Sequence, residues 1–128
     1  MAGYKRHTNA EWRRLMQDAT RHGQRIGRNA AEWHTDSIDS KAAAAKFLQM
    51  YDDGDPAIEQ YAEAPNLSGE YSGDTTPSSL ASDLDFDPDE YENGYEILYG
   101  EICTKWEEAA SEAFWDRLIA YANFVLND

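Results

Sequence analysis

The sequence predicts an all-α fold, and three observations carry that prediction. Apolar residues recur at three- and four-residue spacing near both ends of the chain. Three of the four prolines directly follow an Asp or Thr able to cap a helix, and no segment shows the alternation of a strand. The expected architecture is an irregular helical bundle with two long helices, about 9–34 and 88–126, one medium helix and two short ones. Helices so unequal in length do not form a symmetric bundle. At 128 residues, the chain is expected to be a single helical domain.

Thr8-Asn9-Ala10-Glu11 has the form of a capping box, so the first helix should run from there to about His34. Its expected seam is Trp12, Leu15, Met16, Ala19, Gly23, Ile26, Ala30 and Trp33. Small residues at 19 and 23 invite the close approach of another helix, while Gly23 and Gly27 each cost about 1 kcal/mol against Ala and favour a bend. Arg14, Arg21, Arg25 and Arg28 share an arc of roughly 60° nearly opposite the seam. Asp36-Ser37-Ile38-Asp39 offers the next N-cap, and residues 41–51 are helical in composition. Gly54 suits the left-handed position that ends a helix. Asp55-Pro56 opens a short helix through Tyr61, and Thr76-Pro77 opens another through about Leu84; residues 64–75 between them read as irregular.

Asp87-Pro88 opens the last and longest helix, with Asp89 and Glu90 at the positive end of its dipole. Tyr91, Tyr95, Leu98, Ile102, Trp106, Ala109 and Ala113 form one apolar stripe. Asp89, Glu92, Glu96 and Glu107 flank it on one side, and Glu90, Glu101, Glu108 and Glu112 on the other. Beyond Ala113 apolar residues cover most of the circumference. Such a segment makes either the deepest core or a homo-oligomer contact, through Phe114, Trp115, Leu118 and Tyr121.

Charge is distributed unevenly. The net charge is −14, yet residues 1–46 hold nine bases against five acids, and residues 47–128 hold two against twenty. Between Lys46 and Lys105 no base occurs, while fifteen acids do. The organisation expected is a basic N-terminal helix, residues 8–34, on an acidic body, residues 47–128. Such a balance argues against nucleic acid or an anionic membrane as direct partner and favours a basic protein. A lone Cys103 allows no internal disulfide and no thiolate metal cluster, which fits a reducing compartment. The N-terminus lacks the apolar run of a signal peptide and no stretch approaches a membrane span, so a cytoplasmic location is expected.

No motif specifies a reaction. Asp85, Asp87, Asp89 and Glu96 imitate part of a calcium loop, but Glu90 stands where that loop needs glycine and Glu92 where it needs an apolar residue. His7, His22 and His34 have no ligand spacing, and carboxylate pairs are too abundant here to mark acid–base chemistry. The expectation is a non-catalytic protein without metal or cofactor.

What the charge layout does suggest is mimicry of a nucleic acid. Duplex DNA presents one negative charge per about 1.7 Å of axis. Carboxylates four residues apart on a helix form columns with steps of about 6 Å. The residues expected to meet the basic groove of a nucleic-acid-binding enzyme are Asp52, Asp53, Asp55, Asp83, Asp85, Asp87, Glu92, Glu96 and Glu101. In charge and size the chain resembles the small acidic proteins that phages and plasmids make against restriction and CRISPR enzymes; no residue motif carries that resemblance. Two alternatives stand beside it. One is a helical adaptor that binds through its aromatic C-terminal segment; the other is an acidic, salt-adapted protein with no basic-groove partner.

Overall fold

The computed structural model describes residues 8–60, 62, 64, 65, 67 and 76–128, with no strand among them. Helix α1 (Asn9–His34) continues into a 3-10 turn (Thr35–Ser37), and α2 (Lys41–Asp53) is followed by a 3-10 turn (Pro56–Gln60). Helix α3 (Pro77–Asp83) and a 3-10 turn (Pro88–Glu90) lead to α4 (Gly94–Ile97), a π-helical segment (Leu98–Ile102) and α5 (Cys103–Asn127). The last three form one continuous rod of 34 residues. The all-α expectation holds, with two long helices. Tyr61, the expected end of the short helix, and most of the irregular stretch 64–75 lie outside the described residues.

The local signals act where side-chain chemistry demands. Thr8 accepts from the Glu11 amide at 3.1 Å, and Thr76 and Ser79 close a reciprocal capping box around Pro77. Two helices end in the same Schellman closure. At the end of α2, Asp55 N–H donates to the Met50 carbonyl and Gly54 N–H to that of Tyr51, with Gly54 at φ 66°. At the end of α3, Phe86 N–H donates to Ala81 and Asp85 N–H to Ser82, but the left-handed residue, at φ 54°, is Asp85. One cap differs from expectation. Ser40, not the Asp36–Asp39 segment, caps α2, because Thr35–Ser37 is wound as a 3-10 extension of α1.

The start of the long C-terminal helix also moves. Asp87 does cap, accepting from the Asp89 amide at 3.0 Å, but the turn it opens closes at Glu90. Tyr91 is extended, at φ −113° and ψ 147°, and its ring stacks on buried Phe86 at 5.0 Å. Helix resumes only at Gly94, whose missing side chain leaves room for the Pro88 backbone. A Tyr91 drawn toward Phe86 is thus incompatible with one straight helix from residue 88.

Helices α1 and α5 lie side by side and run in the same direction: His22 meets Trp106, Gly27 meets Ala110 and Glu32 meets Arg117. A four-residue repeat of buried positions runs along the C-terminal rod, Gly94, Leu98, Ile102, Trp106, Ala110, Phe114, Leu118 and Ala122, with Ile97, Cys103 and Ala109 buried beside it. The same repeat appears on α1 at Ala19, Gly23, Gly27 and Ala31. Facing rows at i and i+4 interdigitate, and glycine lets the backbones close in. A Cβ on Gly23 would stand 2.5 Å from the Trp106 carbonyl oxygen, and one on Gly27 would overlap that of Ala110. The seam takes in Gly27 and Ala31 beside the expected Ala19 and Gly23, with Ile26 packed against the first apolar cluster and Ala30 against the second; Trp33, also expected there, lies off it. Trp33 is 83% exposed.

Two apolar clusters share this helix pair. The first gathers Leu80 and Phe86 around Leu98, Ile102 and Trp106; the second packs Ile38, Phe47 and Phe114 around Leu118. Trp106 is fully buried, as its place on the stripe predicts, whereas Tyr95 at its start is 51% exposed. Phe114 and Leu118, expected as core or as oligomer contact, are wholly buried within the chain. Trp115 and Tyr121 are half-buried, Trp115 lying against Phe47 and Tyr51 of α2.

Candidate functional site

All nine carboxylates expected to face a partner, Asp52, Asp53, Asp55, Asp83, Asp85, Asp87, Glu92, Glu96 and Glu101, are solvent-exposed. The fold does not gather them into one surface. Asp52, Asp53 and Asp55 sit at the C-terminal end of α2, beside the second cluster. There Asp53 accepts from Gln49 and Asp55 from the Ala57 amide. The other six belong to the α3–α4 region and the π segment, beside the first cluster.

Within that group the helical columns read from the sequence are broken twice. Glu92 lies in the turn before Gly94, so Glu92 and Glu96 are not one helical step apart. The π segment, which holds Glu101, lies between Glu96 and Glu107 of one expected column; it inserts extra backbone into the turn and changes the angular relation of everything after it. Glu107, further along, is turned to structure: its carboxylate accepts from the Leu67 amide at 3.1 Å.

Asp83 and Asp85 come to lie beside the basic helix. Asp85 shares a cleft of about 240 Å³ with Glu11, Arg14 and Asp18, and Asp83 shares an open groove with Arg21, His22 and Arg25. The segregation of charge along the chain is therefore partly undone in space, since α1 is packed lengthwise on the acidic body. Arg14 reaches Asp18 at 4.0 Å, and Arg117 donates to Glu32 at 2.7 Å. The side-chain carboxylates of Asp52, Asp85, Glu96 and Glu101 make no hydrogen bond or ion pair among the described residues.

Periodicity gave no notice of a hydrogen-bonded chain that crosses this region. The Trp106 indole N–H donates to His22 Nδ1 at 2.8 Å, and His22 Nε2 lies 3.0 Å from Asp83 Oδ2. Indole is a donor only, so Nδ1 must be unprotonated and the proton sits on Nε2, facing the carboxylate. The chain ties the largest buried side chain to α1 and to the end of α3, and it fixes Asp83 in place. Among the described residues no nucleophile is bonded to His22 to complete the chain. The only signal for it in the sequence is a histidine one residue from the buried seam, and its partners are 84 and 61 residues away.

A second feature absent from the expectation is an exposed aromatic pair. Tyr95 and Tyr99, one turn apart, are 51% and 56% exposed, with rings stacked at 6.3 Å and 18°. The Tyr95 hydroxyl donates to Asp89 at 2.9 Å, and that bond together with the Asp89 charge raises the Tyr95 phenol above its usual range. Cys103 is buried and free. Burial, reinforced by the Glu107 charge, pushes its thiol up to about 11, so it is a protonated apolar side chain at neutral pH.

Among the described residues no three His, Cys, Asp or Glu side chains converge as metal ligands, and Asp87 and Asp89 are held by the local bonds above. No helix among them is long and apolar enough to cross a membrane. No protein-family model, curated protein or solved structure matches the chain.

Proposed function

We propose that this protein is a non-catalytic acidic binding protein that occupies the basic groove of a nucleic-acid-binding enzyme in place of nucleic acid. It would act in the cytoplasm, in the manner of phage- and plasmid-encoded inhibitors of restriction and CRISPR enzymes. The observation that carries the reading is the base-free run of fifty-eight residues whose nine selected carboxylates are all exposed, four of them unpaired among the described residues. The α3–α4 region and the π segment are the centre of the contact, because six of the nine carboxylates lie there. Asp52, Asp53 and Asp55 form a second, smaller patch. Attraction between such a surface and a groove built for phosphates steers encounter and is screened by salt.

The test is capture on the immobilised protein from an extract of the source organism, with elution by duplex DNA or RNA. A nucleic-acid-binding enzyme released by the polymer at constant ionic strength supports mimicry. A captured protein that nucleic acid cannot displace favours the adaptor reading, for which Trp33 and 68%-exposed Phe124 supply apolar surface.

A further inference from the structure

Among the described residues, the rings of Tyr95 and Tyr99 pack on each other and not on the core; the Tyr95 hydroxyl bonds only to Asp89. Both rings stand in solvent in a rod whose other large side chains are mostly drawn inward. Beside them is Gly100. Gly23, Gly27 and Gly94 each lie against another backbone, and Gly54 holds a left-handed turn. Gly100 does neither: a Cβ there would meet nothing within 4 Å, and its φ is not positive. A glycine in a helix interior is unfavourable without a packing or binding reason. Here it leaves the backbone next to Tyr99 open to approach. The same stretch is the π segment, a local geometry that recurs at functional sites.

From this placement we infer that the Tyr95–Tyr99 face is the docking point for an arginine side chain of the basic partner. The argument for that occupant is complementarity of charge and shape. A guanidinium is planar and weakly hydrated, so it stacks on an aromatic face while its edge donates to carboxylates. Asp89, hydrogen-bonded to the Tyr95 hydroxyl, and exposed, unpaired Glu96 supply those carboxylates. A lysine ammonium carries the same charge but lacks the plane. The inference rests on the reading of the protein as a ligand for a basic groove and adds a chemical preference that charge alone does not give.

The experiment compares nona-arginine with nona-lysine by titration calorimetry at low and moderate salt. The targets are the wild-type chain, Tyr95→Ala/Tyr99→Ala, and the conservative Tyr99→Phe, each checked by circular dichroism. Wild type should bind the arginine peptide about three- to fivefold more tightly, the size expected of one exposed cation–π contact. Tyr99→Phe should keep that preference, and the double alanine variant should lose it while retaining salt-sensitive binding of both peptides. Equal affinity of wild type for the two peptides, or a preference that survives in the double variant, overturns the docking inference and leaves the basic-groove reading intact. Failure of both peptides to bind at low salt overturns both.

Discussion

Replacing Gly27 by alanine tests the packing of the two long helices, because two effects of opposite sign compete at that position. In an unobstructed helix interior the change is stabilising by about 1 kcal/mol. Here the new methyl group would overlap the Ala110 carbonyl of α5, which belongs to a helical backbone and cannot swing aside. The neighbouring Gly23 gives the scale: its Cβ would stand 2.5 Å from the Trp106 oxygen, where ordinary contact begins at 3.4 Å. Relief requires the helices to part by about that difference along a seam that also buries Trp106, Phe114 and Leu118. Overpacking of this kind costs about 1–3 kcal/mol, with backbone contacts toward the upper end, so the net loss expected for Gly27→Ala is about 2 kcal/mol. Gly100→Ala is the control. With open space around it, it should gain about 0.5–1 kcal/mol. Urea denaturation followed by the helical circular dichroism signal reads both, provided the slopes agree. A Gly27→Ala protein as stable as wild type would refute the close-packed seam.

Trp106→Ala removes a fully buried ring and leaves His22 Nδ1 without its donor, and should cost about 3–5 kcal/mol by the same denaturation assay. Asp85→Gly should stabilise the chain by about 1 kcal/mol, since it relieves a left-handed residue in the Schellman closure of α3; an unchanged midpoint would show that the aspartate is unstrained. The Cys103 thiol, at about 11 in the fold against an ordinary value of 9.0, favours the folded state while it stays protonated. That contribution is full below pH 9, where both states hold the proton. It is lost as pH rises through about 11, because the unfolded chain ionises first. Stability measured between pH 9 and 11 should therefore fall more steeply in wild type than in Cys103→Ala, and native Cys103 should resist alkylation at pH 8.

Much of the helical framework is legible from local chemistry. Thr8, Gly54, Thr76-Pro77 and the Asp87 cap act as their side chains dictate, since capping depends on residues three or four apart. What escapes is set by contacts distant in sequence. The closest approach of α1 to α5 follows Ala19 and Gly23, as expected, and continues through Gly27 and Ala31, where Trp33 is left in solvent; hydrophobicity ranks those last residues the other way. Tyr91 leaves the helix to stack on Phe86, so Tyr95, in phase with the stripe on paper, points to solvent. The candidate surface is legible in the same partial sense. Exposure of its carboxylates follows from their positions off the stripe, but its division into two patches does not. Nor does the bond from His22 to Asp83, which depends on a packing of α3 against α1 that no periodicity encodes.

The central claim, that carboxylates of the base-free segment fill a basic groove, is most directly tested by reversing three of them together. Each exposed charge contributes on the order of 1 kcal/mol or less at physiological salt, so single substitutions should be nearly silent. Asp85, Glu92 and Glu96 changed to lysine together replace attraction with repulsion and leave the α1–α5 seam untouched. The measurement is affinity for the enzyme captured on the wild-type chain, at two salt concentrations. The account predicts that wild-type binding weakens as salt rises and that the triple variant, still helical by circular dichroism, fails to bind at either concentration. Affinity that is indifferent to salt and survives the triple reversal would contradict it.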